Sequence, residues 1–146
     1  MQITTELSIP GRVDEVWAVL VDLPSYPRWN SFIRKVDGEL AEGAAWKAEL
    51  TVDGRVFFAV PTVIAELVPG TRLTWRGGLP RLMTGTHSFA VAEASGIVTL
   101  RQSETFSGAL VPVVFPLLRS SLTRRFIEMN RALMSEVVRR RGSTRA

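Results

Sequence analysis

The 146-residue chain contains no cysteine, one histidine and one tyrosine. The missing cysteines exclude disulfides, thiolate metal ligands and thiol nucleophiles. One histidine, His87, cannot form a two-imidazole metal site, and any Ser-His-Asp chemistry would have to run through it. Long apolar runs are missing too. The longest uncharged one, Ala109 to Leu118, has ten residues and two prolines, far short of the roughly 20 needed to span a bilayer. Met1 to Glu6 lacks the basic and apolar regions of a secretory signal, which predicts a cytoplasmic location. Neither a P-loop nor a Gly-x-Gly-x-x-Gly fingerprint occurs, so a nucleotide phosphate cradle is not expected. The reading requires no metal and no cofactor.

What is present describes a soluble globular chain, 46% hydrophobic and 22% charged. Its length suits a single domain over residues 1–146, burying roughly 68–70% of the surface of the unfolded chain. Net charge is +4, but its distribution says more. Residues 119–146 carry eight arginines against Glu128 and Glu136, a local balance of +6, and the other residues sum to −2. Residues 139–146 read as a flexible basic tail.

Residues 2–9 are rich in β-branched side chains and stop at Pro10-Gly11, which predicts a strand. Val13, Val16, Trp17, Leu20 and Val21 then recur at helical spacing, with Asp14 and Glu15 in the first turn, where the helix dipole favours acids. Pro24 ends this helix, and residues 25–30 read as a second brief helical segment. From Ile33 to Ser107 alternation and turn residues predict six further strands. Asp53-Gly54 signals a hairpin, and Pro61 suggests a bulge or an edge. Helical periodicity returns in Phe115, Leu118, Leu122, Phe126, Met129, Leu133 and Val137. A helix over about 117–140, with Pro116 in its first turn, must bury that stripe against the sheet. The expected architecture is α+β: a seven-stranded, curved antiparallel sheet wrapped around a long C-terminal helix, with two short helices after the first strand.

This order of elements, with Asp22-Leu23-Pro24-Ser25-Tyr26-Pro27-Arg28-Trp29-Asn30 after the first helix, resembles the SRPBCC (START-like, helix-grip) superfamily. The polyketide cyclase/dehydrase-like branch is the most similar. Leu73-Thr74-Trp75-Arg76-Gly77, Gly85-Thr86-His87-Ser88-Phe89, Glu104-Thr105-Phe106-Ser107-Gly108 and Phe126-Ile127-Glu128-Met129-Asn130 carry the same resemblance. It implies a deep apolar cavity between the sheet and the long helix. Trp29, Phe32, Trp46, Trp75, Phe89, Phe106, Phe115 and Phe126 fall on faces that point between these layers, as does Met129 on the helical stripe. They are the expected ligand-lining residues; the alternative is that they simply fill a core. The superfamily also includes iron-dependent oxygenase domains, but one histidine cannot build their two-histidine site.

A two-residue loop at Ser95-Gly96 would pair Ala94 with Ile97, Phe89 with Gln102 and His87 with Glu104. The same face carries Val91, Leu100 and Phe106, so the polar residues point inward. A carboxylate there is costly unless paired. His87, Glu104 and Gln102 are therefore expected to fix a polar group on an otherwise hydrophobic ligand. In a catalytic version His87 and Glu104 transfer a proton at a carbonyl-bearing substrate. In a bland version the pair only orders the sheet.

Arg119, Arg124, Arg131 and Arg139 lie off the helical stripe and read first as a solvated face. No aromatic is interleaved among them, so nucleic-acid binding is not expected. Beside Ala109–Leu118 they also suit peripheral contact with an anionic membrane. The leading function is binding of a small hydrophobic molecule, lipid-, polyketide- or quinone-like. The alternatives are a cyclase/dehydrase-type enzyme and a protein-interaction module with a filled cavity.

Overall fold

The computed structural model describes residues 1–52 and 55–144, with backbone alone for 50–52, 55–60 and 144. Strand β1 (Gln2–Pro10) leads into helix α1 (Val13–Val21), a single 3-10 turn at Leu23–Ser25 and the short helix α2 (Tyr26–Trp29). Six strands follow: β2 (Ile33–Gly38), β3 (Ala45–Val52), β4 (Arg55–Val68), β5 (Arg72–Leu79), β6 (Met83–Ala94) and β7 (Ile97–Ser107). Helix α3 (Val111–Thr144) closes the described chain. All strand pairings are antiparallel, in the order β1-β7-β6-β5-β4-β3-β2. This is the helix-grip arrangement expected from the sequence.

Alternation dictates which side chains meet α3. One cross-strand row runs Ile64, Trp75, His87, Glu104 and Ile3; the next runs Leu67, Leu73, Phe89, Gln102 and Thr5. From α3, Phe126, Met129, Asn130, Leu133 and Val137 are buried at steps of three and four. Asn130 is the polar member of that stripe, and its amide donates to Thr5 Oγ1 at 3.0 Å. Burying Leu133 or Phe126 contributes about 1.5–3 kcal/mol each, so the stripe is what keeps the helix on the sheet. Two clusters result. The larger includes Ile64, Leu73, Trp75, Phe89, Leu100, Met129 and Leu133. The smaller, near the start of α3, holds Ile3, Phe106, Val111, Phe115 and Phe126.

Several expectations need correction. Helix α3 begins at Val111, six residues before the expected start, so Pro116 lies inside it. The main chain of Val114 reaches Leu110 at 2.9 Å. Val111 and Phe115 then enter the smaller cluster, and their burial offsets the one backbone bond Pro116 cannot make. Leu118, placed on the buried stripe by its spacing, is 41% exposed. Strand β4 is central rather than an edge. Its irregularities fall at Ala59/Phe57 and at Ile64/Glu66, while Pro61 faces Lys47 in regular register on an exposed position. The Asp53-Gly54 hairpin signal lies outside the described residues.

The expected flexible tail is the largest correction. Residues 139–144 continue α3, because acids meet their arginines. Glu136, with 5% of its side chain exposed, accepts from Arg139 Nε at 2.7 Å and from Arg140 Nε at 2.8 Å. Arg140 Nη2 also reaches Asp22 at 2.8 Å and Ser25 Oγ at 3.0 Å, and Arg141 pairs with Glu15 at 2.9 Å. Hydrogen bonds from Arg139 and then Arg140 hold the Glu136 carboxyl at about 2, below the usual carboxylate range. The C-terminal turns are thus clamped to α1 and the 3-10 turn.

Candidate functional site

The site is built on the β6–β7 hairpin. Ser95 and Gly96 have φ of 52° and 74°, the left-handed pair required by a two-residue turn that matches strand twist. That turn sets Ala94 against Ile97 and places His87 directly opposite Glu104, the register expected from the sequence. His87 Nδ1 lies 3.4 Å from Glu104 Oε2, with 8% and 18% of the two side chains exposed. On the other side of the ring, His87 Nε2 lies 3.0 Å from Gln102 Nε2, which also approaches Met129 Sδ at 3.3 Å.

The orientation of the Gln102 amide sets which imidazole nitrogen carries the proton. An amide nitrogen only donates, so Nε2 of His87 is the acceptor and the ring proton sits on Nδ1, facing the carboxylate. Gln102 Oε1 is then a buried acceptor without a partner among the described residues, on a residue with no exposed surface.

Aromatic side chains wall this polar trio. Trp75 is the cross-strand neighbour of His87 and stacks on it, 5.1 Å between centroids at 10°. Phe89 lies 4.8 Å from the imidazole, and Phe126 meets it edge-on at 5.1 Å. Trp46 packs edge-to-face on Trp75 at 5.1 Å. The Trp46 indole N–H is buried with no acceptor among the described residues. Two orphaned buried groups, one donor and one acceptor, thus occur on residues of this aromatic wall; a buried polar atom ordinarily finds a partner.

Not every expected lining residue converges here. Trp46, Trp75, His87, Phe89, Gln102, Glu104, Phe126 and Met129 form one continuous set of contacts. Phe106 and Phe115 pack on each other at 5.5 Å in the smaller cluster, which reaches the trio through Phe126 beside His87 and Ile3 beside Glu104. Trp29 is half-buried, donates to Ser25 Oγ at 3.2 Å and leans on Tyr26. Phe32 is half-buried beneath the Arg125 guanidinium, 5.9 Å above its ring. Both belong to the wall around α2, one layer from His87.

Two contributors escaped sequence reasoning. Tyr26 is fully buried between Trp29 and Trp75, and its hydroxyl donates to the Leu20 carbonyl at 2.7 Å. Burial, and secondarily the Asp22 carboxylate, push its phenol well above the ordinary value, so it stays neutral. Its being the only tyrosine was the available signal. Gly85 is the second: a Cβ there would collide with Glu104 Oε1, so its bare backbone gives the carboxylate its place. An open depression lined by Val63, Ala65 and Arg76 sits on the opposite face of the sheet and takes no part. Among the described residues no group of three acidic or imidazole side chains could hold a metal, and no helix is long and apolar enough to cross a membrane.

The sequence matches the family described as polyketide cyclase / dehydrase and lipid transport over residues 1–138. Solved structures share the fold at low identity. A hypothetical protein from Helicobacter pylori superposes with a TM-score of 0.79 at 14% identity, covering 94% of this chain and 88% of that one. A START superfamily protein from Mycobacterium smegmatis gives 0.78 at 13%, covering 94% and 97%. The Zhui aromatase/cyclase from a Streptomyces species gives 0.76 at 15%, covering 96% and 94%. No curated protein is similar enough in sequence to count as a relative.

Proposed function

The chain belongs to the polyketide cyclase/dehydrase and lipid transport family, and we propose that it binds a small hydrophobic molecule bearing one polar group between the sheet and α3. The observation that carries this reading is the pair of orphaned groups on the aromatic wall, Gln102 Oε1 and the Trp46 indole N–H. An uncompensated buried polar atom costs roughly 1–3 kcal/mol, and a ligand offering a donor and an acceptor would recover it. Apolar walls supply affinity, and the few polar groups set orientation. Trp75, Phe89, Phe126 and Met129 supply the first; His87, Gln102 and Glu104 supply the second. A lipid-, polyketide- or quinone-like skeleton with a carbonyl or hydroxyl fits this division.

The test is a titration followed by intrinsic tryptophan fluorescence, since Trp46 and Trp75 are in the wall. Fatty acids, quinones and polycyclic ketones are the probes. The proposal expects saturable quenching by at least one class, weakened by His87→Leu. Absence of saturable binding across all three classes would count against it.

A second reading is favoured by one further observation: Glu104 faces Nδ1, leaving Nε2 with its lone pair on the Gln102 side. A base oriented by a carboxylate on its far nitrogen is the arrangement of general acid–base catalysis. In this reading, once the substrate displaces the Gln102 amide, Nε2 takes a proton from the carbon next to a substrate carbonyl, and the C–H electron pair moves into the enolate. Glu104 stabilises the resulting imidazolium. Turnover of a ketone substrate would then be lost in both His87→Ala and Glu104→Gln, with binding retained in the latter.

A further inference from the structure

We infer that the tip formed by the β5–β6 turn and the first turns of α3 is a docking surface for an anionic lipid bilayer. Leu79, Leu82, Leu110, Val113 and Leu117 are 46–78% exposed. Two segments distant in sequence are joined to make this one surface. Ala109 N donates to Arg81 O at 2.9 Å, and Leu110 N to Leu82 O at 3.0 Å. Gly108, at φ 127°, has no side chain to hold the Leu82 backbone away. Leu110, just before α3, and Val113 and Leu117 on its first turns then follow at i, i+3 and i+7. Beneath them lies the smaller core cluster, so these side chains are additional to what the fold needs to bury.

Charge selects the occupant. Residues 67–92 and 105–127, which contain both halves of the tip, include no Asp or Glu. They do carry Arg81, Arg119 and Arg124, all exposed. Arg124 stands seven residues after Leu117, on the same side of the helix. An apolar tip ringed by cations alone matches the interface of an anionic membrane, where aliphatic groups enter the acyl boundary and arginines meet phosphates. The exposed apolar residues are Leu, Val and Pro, without the aromatics and methionine that protein interfaces favour.

Backbone strain points the same way. Arg81 has φ 67° in a turn closed by Leu82 N to Leu79 O at 3.2 Å, after Pro80. That position favours glycine. A non-glycine residue held there stores backbone strain, which clusters at functional surfaces. This inference stands whether or not the interior site takes a ligand.

The experiment is cosedimentation of the full chain with vesicles of phosphatidylcholine alone, or of phosphatidylcholine with phosphatidylglycerol. Binding to the anionic vesicles is expected at low salt and should largely vanish near 1 M salt, where the Debye length is about 3 Å. Arg124→Gln and Arg81→Gly should each weaken binding about fivefold. Arg81→Gly should at the same time raise the urea midpoint, which separates lost binding from lost folding. Val113→Ser combined with Leu117→Ser should lower binding by at least about tenfold, with an unchanged circular dichroism spectrum. The inference is overturned by no binding at low salt, by equal binding to both vesicle types, or by full binding in the double serine variant. It is equally overturned if that variant instead dissolves a dimer seen by sedimentation velocity in a protein that ignores vesicles.

Discussion

Replacing Gln102 by leucine separates a ligand-binding residue from a structural one, because the two roles predict different stabilities. The side chains are close in volume, so no cavity opens. The substitution removes the Gln102–His87 hydrogen bond at 3.0 Å and leaves the imidazole Nε2 lone pair without its donor. A lost buried hydrogen bond costs about 0.5–1.5 kcal/mol, and an unpaired partner up to about 3 kcal/mol. The same change eliminates the orphaned Oε1, which already costs about 1–3 kcal/mol in the native protein. It also adds buried hydrocarbon worth about 1 kcal/mol beside Met129 and Phe126. The opposing contributions nearly cancel, so Gln102→Leu should change unfolding free energy by no more than about 1 kcal/mol in either direction. Urea unfolding monitored by circular dichroism measures this directly, and the fluorescence titration on the same sample should show ligand affinity reduced at least about tenfold. A destabilisation beyond about 2 kcal/mol would show that Gln102 holds the sheet together, and the reasoning from its orphaned oxygen would fail.

Three other perturbations follow from the geometry. Gly85→Ala pushes the Glu104 carboxylate from its seat, and because that carboxylate ends a flexible side chain, stability should fall by only about 1 kcal/mol while ligand affinity drops; thermal melts and the titration read the two effects separately. Tyr26→Phe strands the buried Leu20 carbonyl and should cost about 1–2 kcal/mol in urea unfolding at neutral pH, with no change in vesicle binding. For Glu136 the folded carboxyl is depressed to about 2 from an ordinary 4.5, so its contribution is complete above about pH 4.5 and is lost as pH falls toward 2. With exposed Arg139 screened by solvent, Glu136→Gln should cost about 1–2 kcal/mol at pH 7, and the gap between variant and parent should close toward pH 2.

Some of this site is legible in sequence because strand geometry is rigid. Once Ser95-Gly96 is read as a two-residue turn, period-two alternation places His87, Gln102 and Glu104 on one face with Phe89 and Phe106. The aromatic positions follow from the same alternation, but their grouping does not. Phe106 and Phe115 belong to a separate cluster near the start of α3, a grouping that periodicity within one element does not encode. Pro116 misled the reading of the helix start: a proline normally marks a first turn, and here burial of Val111 and Phe115 outweighs its missing N–H. Arg140 and Arg141 read as a tail because their partners Asp22 and Glu15 lie more than a hundred residues away, although Arg139 and Arg140 also meet Glu136 close by. Local charge counting sees the run and not the clamp. Gly85 is invisible for a similar reason, since its role exists only where Glu104 leans across from β7.

The account rests on a polar group being held at the His87–Gln102–Glu104 trio inside an apolar wall. Its most direct test compares, by calorimetric titration, a polycyclic ketone with the hydrocarbon of the same skeleton, in the parent and in Gln102→Leu. The account predicts that the parent binds the ketone at least about tenfold tighter, a difference of about 1.4 kcal/mol, and that the preference disappears in the variant. Equal affinity for ketone and hydrocarbon in the parent, or a preference that survives in Gln102→Leu, would contradict it.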